Sequence, residues 1–389
     1  MTTYKNLSSH DCSGHIHVEV VPATAINPSI RHAWLDLRER NPELWSPYFD
    51  LRMFDILASF APYPRLAVIR QQGEIVALLP FQGKIGGLAR PLGAPLSDQH
   101  SVIQAADTHI KLADILKHIG MAGFVFTGMR HTVPEALKLQ ESMCHVADLS
   151  QGVDAYIAWR KLTWKDHVKK SERRIRQGER QWGPMRLETA CPKTSNQFET
   201  LIRWKQAKYI ETNRHNILAV PWIRNFLHCL YLSNDADFSG EITSLYFGDH
   251  LVALEYGLRS GDVMHSWFPA FDRAYAQISP GILLMDGMIE MCGRRGITRI
   301  DLGTGHDQYK CHASNAPFPV WSGTLPVTAL RRASTQAFIN VDLWLETKFP
   351  TRFGKVLGRL ERRSEMILAA EPTFLGRLGG YVDALKAFG

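Results

Sequence analysis

Four residues in the second half of the chain have side chains suited to moving protons: Glu255, His265, Asp301 and Tyr309. Glu255 interrupts the apolar run Val-Ala-Leu-Glu-Tyr-Gly, and His265 sits in Val-Met-His-Ser-Trp-Phe. A group that attacks an acyl carbonyl must lose a proton as it does so. A carboxylate or imidazole in a partly dry cleft can have its pKa moved toward working pH and accept that proton. Either residue reads equally as a polar side chain on the open face of a half-buried sheet. Asp301 ends the run Ile-Thr-Arg-Ile-Asp, and carboxylates at the C-terminal ends of strands often face a ligand crevice. Its other role is to cap the helix that starts near His306, or to tie down the loop holding Gly303 and Gly305. Tyr309 and Lys310 follow on that helix.

Between these groups lies Ser279-Pro280-Gly281-Ile282. A turn of small residues at a helix start leaves backbone N–H groups unpaired and pointing outward, which makes an anion site. Ser also caps helices and Pro suits a first turn, so the same residues describe an ordinary helix start. Ile282, Leu283, Met285, Met288 and Ile289 give that helix one buried face, and Gly293 and Gly296 stop it. A β-type run, Val263 to Phe268, precedes the turn, and a second strand leads into Asp301.

The ordered set resembles a known family. Trp267-Phe268-Pro269-Ala270-Phe271-Asp272, then Ser-Pro-Gly and a helix, then Ile300-Asp301-Leu302-Gly303-Thr304-Gly305 and Tyr309-Lys310, is similar to CelD/BcsL-type acetyltransferases of cellulose and exopolysaccharide biosynthesis. These belong to the GNAT superfamily and share a tandem plan with Fem-type transferases. The resemblance covers about residues 165–325 by motif and 15–150 by layout. It implies an α/β (α+β) fold of tandem GNAT-like domains, each a mixed, mostly antiparallel sheet flanked by helices, with a helical C-terminal tail. It implies acetyl-CoA as donor and no metal. The pyrophosphate is then held at Ser279, Pro280, Gly281 and Ile282, with Phe268 and Lys310 beside the donor. Tyr309 becomes the acid for the leaving thiolate. Glu255 and His265 both fall on the acceptor side, and which is the base stays open. The usual [RQ]-x-x-G-x-[GA] signature of the superfamily is absent, and Arg273 lies too early to supply its arginine.

The elements around these residues repeat. Leu66–Arg70, the turn Gln71-Gln72-Gly73 and Ile75–Phe81 read as a β-hairpin, and so do Ile242–Phe247, Gly248-Asp249-His250 and Leu251–Leu258. Ile75-Val-Ala-Leu matches Leu251-Val-Ala-Leu at an offset of 176 residues, which favours two copies of one fold. Asn27 caps a helix running to Glu39 with Ile30, Trp34 and Leu37 on one face. Residues 107–119 and 134–142 read as helical, with a strand at Gly123–Phe126 between them. The first copy lacks a phosphate-loop helix after Phe81, so it is expected to be degenerate, structural or acceptor-binding. Domains are expected at 1–155, 156–330 and a tail at 331–389.

A chain of 389 residues with 45% hydrophobic content is long enough for two packed domains. No apolar run reaches the roughly 18 residues of a membrane span. The N-terminus has no apolar signal core, so a cytoplasmic location is expected. Six scattered Cys and sixteen His form no ligand spacing, which argues against zinc or a disulfide framework. The net charge of +7 favours anionic partners. Lys165, Lys169, Arg173, Arg176 and Arg180 fall on one helical face, either a solvated surface or a dock for phosphates or an anionic membrane; no specific nucleic-acid motif is present. Trp204, Lys205, Lys208 and Tyr209 share a helix that could line an acceptor pocket, with core packing the better reading for Trp204. The expected activity is acyl transfer from acyl-CoA to an amine or hydroxyl of a sugar-type acceptor by direct attack. The alternatives are a Fem-like aminoacyl-tRNA-dependent transferase, or a non-catalytic subunit of a polysaccharide-synthesis complex.

Overall fold

The computed structural model describes residues 16–189, 196–305, 307–348 and 363–386. The first half runs β1 (His17–Pro22), α1 (Pro28–Glu39), α2 (Leu51–Phe60), β2 (Pro64–Gln71), β3 (Glu74–Gln82), β4 (Leu88–Pro91), β5 (Ile103–Gln104), α3 (Leu112–His118), β6 (Gly123–Met129) and β7 (Leu137–Asp148). The second half runs α4 (Val153–Thr163), α5 (Lys165–Trp182), β8 (Met185–Thr189), α6 (Gln197–Glu211), α7 (Pro221–Leu232), β9 (Phe238–Phe247), β10 (His250–Ser260), β11 (Val263–Phe271), α8 (Pro280–Arg294), β12 (Arg299–Thr304), α9 (Gln308–Ala313) and β13 (Phe318–Pro326). Helices α10 (Ala329–Lys348) and α11 (Phe374–Lys386) form the tail.

Local signals place several elements as the sequence does. The Asn27 side chain accepts the Ile30 N–H at 3.0 Å and starts α1, whose buried residues are Ile30, Trp34 and Leu37. Such a cap contributes about 1 kcal/mol. The β2–β3 hairpin turns at Gln72 and Gly73, both at positive φ, the twist that two-residue hairpin loops require.

The two hairpins share one register. Ala77 pairs with Ile69 and Leu79 with Ala67; 176 residues later, Ala253 pairs with Leu245 and Glu255 with Thr243. Even the irregularity beside each turn recurs, at Val76 and Val252. The next strands follow suit: β4 runs antiparallel to β3 and parallel to β6, as β11 runs antiparallel to β10 and parallel to β12. The fold is therefore one α/β unit built twice.

All these strands join one mixed sheet, in the order β1-β2-β3-β4-β6-β13-β7-β12-β11-β10-β9-β8, with β5 on β3. The copies exchange their last strands. β13 of the second inserts between β6 and β7, and β7 of the first pairs with β12 and β13. One apolar core joins α1 and α2 of the first copy to α6 and α7 of the second on one face of the sheet. On the other face α3 covers the first copy, and α4 and α8 cover the second.

One local expectation fails here. Residues 134–142 carry helix formers (Pro-Glu-Ala-Leu-Lys-Leu-Gln-Glu-Ser), yet β7 begins at Leu137. Leu137 and Gln140 face Thr324 and Ser322 of β13, and that pairing outweighs a weak local preference. Among the described residues no helix is long and apolar enough to cross a membrane.

Candidate active site

Strands β11 and β12 are paired only from Val263/Arg299 to His265/Asp301. Beyond that point β11 stays with β10, but its register slips between Tyr256 and Gly257, which makes Trp267 an extra residue. Such a bulge bends its strand and re-aims side chains. A cavity of about 500 Å³ opens where the two strands part. Ser266, Trp267, Pro269 and Phe271 line it from β11, Leu302 from β12, and Gly281, Ile282 and Met285 from α8.

The start of α8 is not an ordinary Ser cap. Ser279 adopts the left-handed conformation (φ 52°) and its hydroxyl caps nothing. Its carbonyl instead accepts the N–H groups of Ile282 (3.0 Å) and Leu283 (3.4 Å). Pro280 has no N–H, so the free donor of the first turn is that of Gly281. A Cβ on Gly281 would meet only Phe271, at 3.9 Å, leaving the backbone open to the cavity. The helix dipole adds a partial positive charge there. Lys205, Lys208, Arg214 and Lys310 supply full ones along the same walls.

Glu255 is buried and accepts from Ser266 Oγ at 2.7 Å. Burial pushes its pKa up to about 7, against the pull of Ser266 and Lys205. Burial lowers Lys205 to about 8, and its Nζ donates to the Pro269 carbonyl at 3.0 Å. Tyr309 lines the cavity from α9, and burial raises its phenol to about 12. Lys310 Nζ donates to the Thr304 carbonyl at 2.7 Å. Trp204 packs against the core, whereas Lys205, Lys208 and Tyr209 of the same helix reach the cavity.

His265 and Asp301 lie behind this space. Both are fully buried, and His265 Nδ1 is 3.0 Å from Asp301 Oδ2. On its other side, His265 Nε2 is 3.4 Å from Asp98 Oδ2. Burial alone would lower the His265 pKa, but Asp301 and Asp98 outweigh it and raise it to about 9. The ring is thus an imidazolium at neutral pH, with no free lone pair for a proton. Asp301 faces no crevice. Its oxygens take the Gln99 amide (2.5 Å), the Cys144 thiol (3.2 Å) and the Gly303 N–H (2.8 Å), so it ties down the glycine loop. Burial opposes its ionisation, yet His265 and these donors keep its pKa below the usual range.

Phe268 is likewise absent from the cavity wall. It is buried against Tyr256 and Trp267, because the bulge at Trp267 reverses the alternation and turns Phe268 inward. Asp98 is the residue that sequence reading missed. It comes from the first copy, on a loop that Gly128 admits: a Cβ there would run into the Asp98 carbonyl. Trp267 Nε1 donates to the Leu96 carbonyl of that loop at 2.9 Å. The first copy thus completes the wall of the second copy's cavity. Among the described residues no group of three or more His, Cys, Asp or Glu is gathered to hold a metal ion.

Residues 144–311 match the acetyltransferase (GNAT) domain family. The match begins in β7 and ends on α9, so it takes in the parted strands, α8 and Tyr309. No curated protein sequence matches the chain. Among solved structures, the chain is similar to a tandem GNAT protein from the clavulanic acid biosynthesis pathway, at 14% identity and a TM-score of 0.49, covering 80% of this chain and 99% of that one. It is also similar to L-PGS from Bacillus licheniformis (9%, 0.45, 80% and 95%) and to FemX (8%, 0.43, 72% and 92%). The GNAT match takes in the end of β7 and then the copy that holds the open cavity, to which the first copy also contributes Asp98. On α5 the side chains of Lys165, Lys169, Arg173, Arg176 and Arg180 are exposed, while Ser171 and Gly178 on the opposite side pack on Asp286 and Phe247.

Proposed function

We propose that the chain is an acyl-CoA-dependent acyltransferase that moves an acetyl group to an amine or hydroxyl of a small, sugar-type acceptor in polysaccharide or cell-envelope biosynthesis. The observation that carries this reading is the cavity between β11 and β12, where the open start of α8 and the buried Glu255 face one space. The GNAT match over the same residues supports it.

In this mechanism the Gly281 N–H, the α8 dipole and the nearby lysines hold the donor's phosphates. The pantetheine arm runs along the edge of β11 that β12 has left. Glu255, titrating near the working pH, takes the acceptor's proton as its nitrogen or oxygen attacks the thioester carbonyl. The new C–N or C–O bond forms, the C–S bond breaks, and the electron pair leaves on sulfur. Tyr309, neutral at every physiological pH, donates a hydrogen bond to that thiolate. The proton held by Glu255 balances the sulfur charge once the products part. Asp98 faces the acceptor, and His265 and Asp301 fix its position from behind.

Calorimetric titration with acetyl-CoA, with free CoA and ATP as controls, tests the reading. Micromolar binding that needs the pantetheine arm is expected, and Gly281→Trp should abolish it by filling the donor path. Absence of binding in the wild type refutes the acyl-CoA donor. The exposed basic stripe of α5 then favours the second reading, an aminoacyl-tRNA donor.

A further inference from the structure

A second cavity, of about 390 Å³, lies on the first copy beneath the C-terminal tail. Its walls are the end of β3, the loop into β4, Arg90 on β4, and the tail segment that leads into α11. Three cations line it: Lys84, Arg90 and Arg377. None makes a direct ion pair with a carboxylate among the described residues, and the acid that acts on Arg90, Glu365, does so without a hydrogen bond to it. Lys84 Nζ rests over the Tyr63 ring at 4.8 Å, and Arg377 Nε donates to the Glu371 carbonyl at 2.9 Å. Arg90 makes no hydrogen bond or ion pair among the described residues. The acid on this wall, Glu371, has its carboxylate 3.4 Å from His215.

A half-buried cation without a direct ion pair is costly, because burial removes water that a distant charge replaces only in part. Burial holds the Arg90 pKa below its usual value, Glu365 opposes, and Arg377 and Arg331 lower it further. The site thus carries an excess of positive charge in an enclosed space. Its volume falls within the roughly 300–1,000 Å³ of small-molecule pockets. Two guanidinium groups offer planar forks that match tetrahedral oxyanions, and Tyr63 and Phe374 provide apolar walls for a ligand body.

We propose that this cavity binds a phosphorylated small molecule of sugar size, its phosphate held by Arg90 and Arg377 and its body against Tyr63. Such a ligand bridges β4 to the tail, so its binding also orders the tail segment at residues 371–377. The site lies apart from the acyl-transfer cavity and stands independently of that reading.

Titration of the full chain with glucose 6-phosphate, inorganic phosphate and glucose tests it. Glucose 6-phosphate should bind best, phosphate more weakly, and glucose not at all. Arg90→Gln and Arg377→Ala should each weaken glucose 6-phosphate by about tenfold or more. Gly281→Trp, which fills the other cavity, should leave that affinity unchanged, and amide exchange at 371–377 should slow when the sugar phosphate binds. No binding at millimolar concentration, or binding lost in Gly281→Trp and kept in Arg90→Gln, overturns the proposal. Should Arg90→Gln fail to fold by circular dichroism, Lys84→Ala and Arg377→Ala, on the more open wall, decide the matter alone.

Discussion

The two copies place the same backbone under opposite chemistry. At one position of the matched hairpins the first copy has Leu79 and the second has Glu255, and both are buried. One strand over, Arg90 stands where the second copy has His265, since Gln82 faces Arg90 as Leu258 faces His265. Continuing the parallel ladders one step, Val125 answers to Asp301. The helix after the third strand is short in the first copy, where Leu112, Ile115 and Leu116 of α3 seal it onto the sheet. In the second, α8 is 15 residues long and its start stays open. The hairpin is what the fold needs for stability, so both copies keep it. The polar groups oppose stability, and the copy that the GNAT family matches is the one that retains them.

Exchanging the two residues should break the contrast most visibly. Leu79→Glu puts a carboxylate into the apolar cluster that holds Ala77, Phe81 and Phe124, and should cost about 4 kcal/mol or more, read from urea denaturation. An unchanged midpoint would mean that the first copy holds a hidden polar pocket. The reverse change, Glu255→Leu, should slow turnover by about 10²- to 10⁴-fold without lowering the melting temperature. A variant that melts earlier yet turns over normally would make Glu255 a structural group.

The pH response sharpens the same point. As the proposed base, Glu255 has to be ionised, so kcat/KM should rise about tenfold per pH unit below 7 and level off above it. Its folded pKa is raised above the unfolded value, so its stabilising contribution is complete below about 4.5 and is lost as pH rises through about 7. The stability gap between Glu255→Leu and wild type should therefore widen in the variant's favour over that window. The smallest effect belongs to Lys205. Its charge pulls the Glu255 pKa down, so Lys205→Met should move the acidic limb of the rate profile to higher pH. A limb that stays in place would show that the two groups do not sense each other.

Much of this was legible from local signals. The α1 cap and face, both hairpins, the 176-residue repeat, and the open turn at Ser279–Gly281 all rest on residues within a few positions of one another. The cavity also brings together Glu255, Ile282, Tyr309 and Lys310. What escaped is long-range or a matter of phase. His265 and Asp301 are 36 residues apart in sequence, and only the parallel ladder reveals that they neutralise each other. Asp98 sits in the other copy, where no spacing could link it to the cavity. Phe268 was set beside the donor by the resemblance alone, and the extra residue at Trp267 turns it inward. Residues 134–142 looked helical because helix formers carry no mark of the strands that will flank them.

The exchange of β7 and β13 has a consequence for how the chain is made. Both neighbours of β7 lie beyond residue 298, so on the ribosome this strand waits for about 150 residues of further synthesis before either edge is covered. At roughly 5–20 residues per second that is about 8–30 s with two open edges. The first copy cannot close its own sheet, and a fragment ending near residue 155 would leave β7 without either partner, as an exposed template for aggregation.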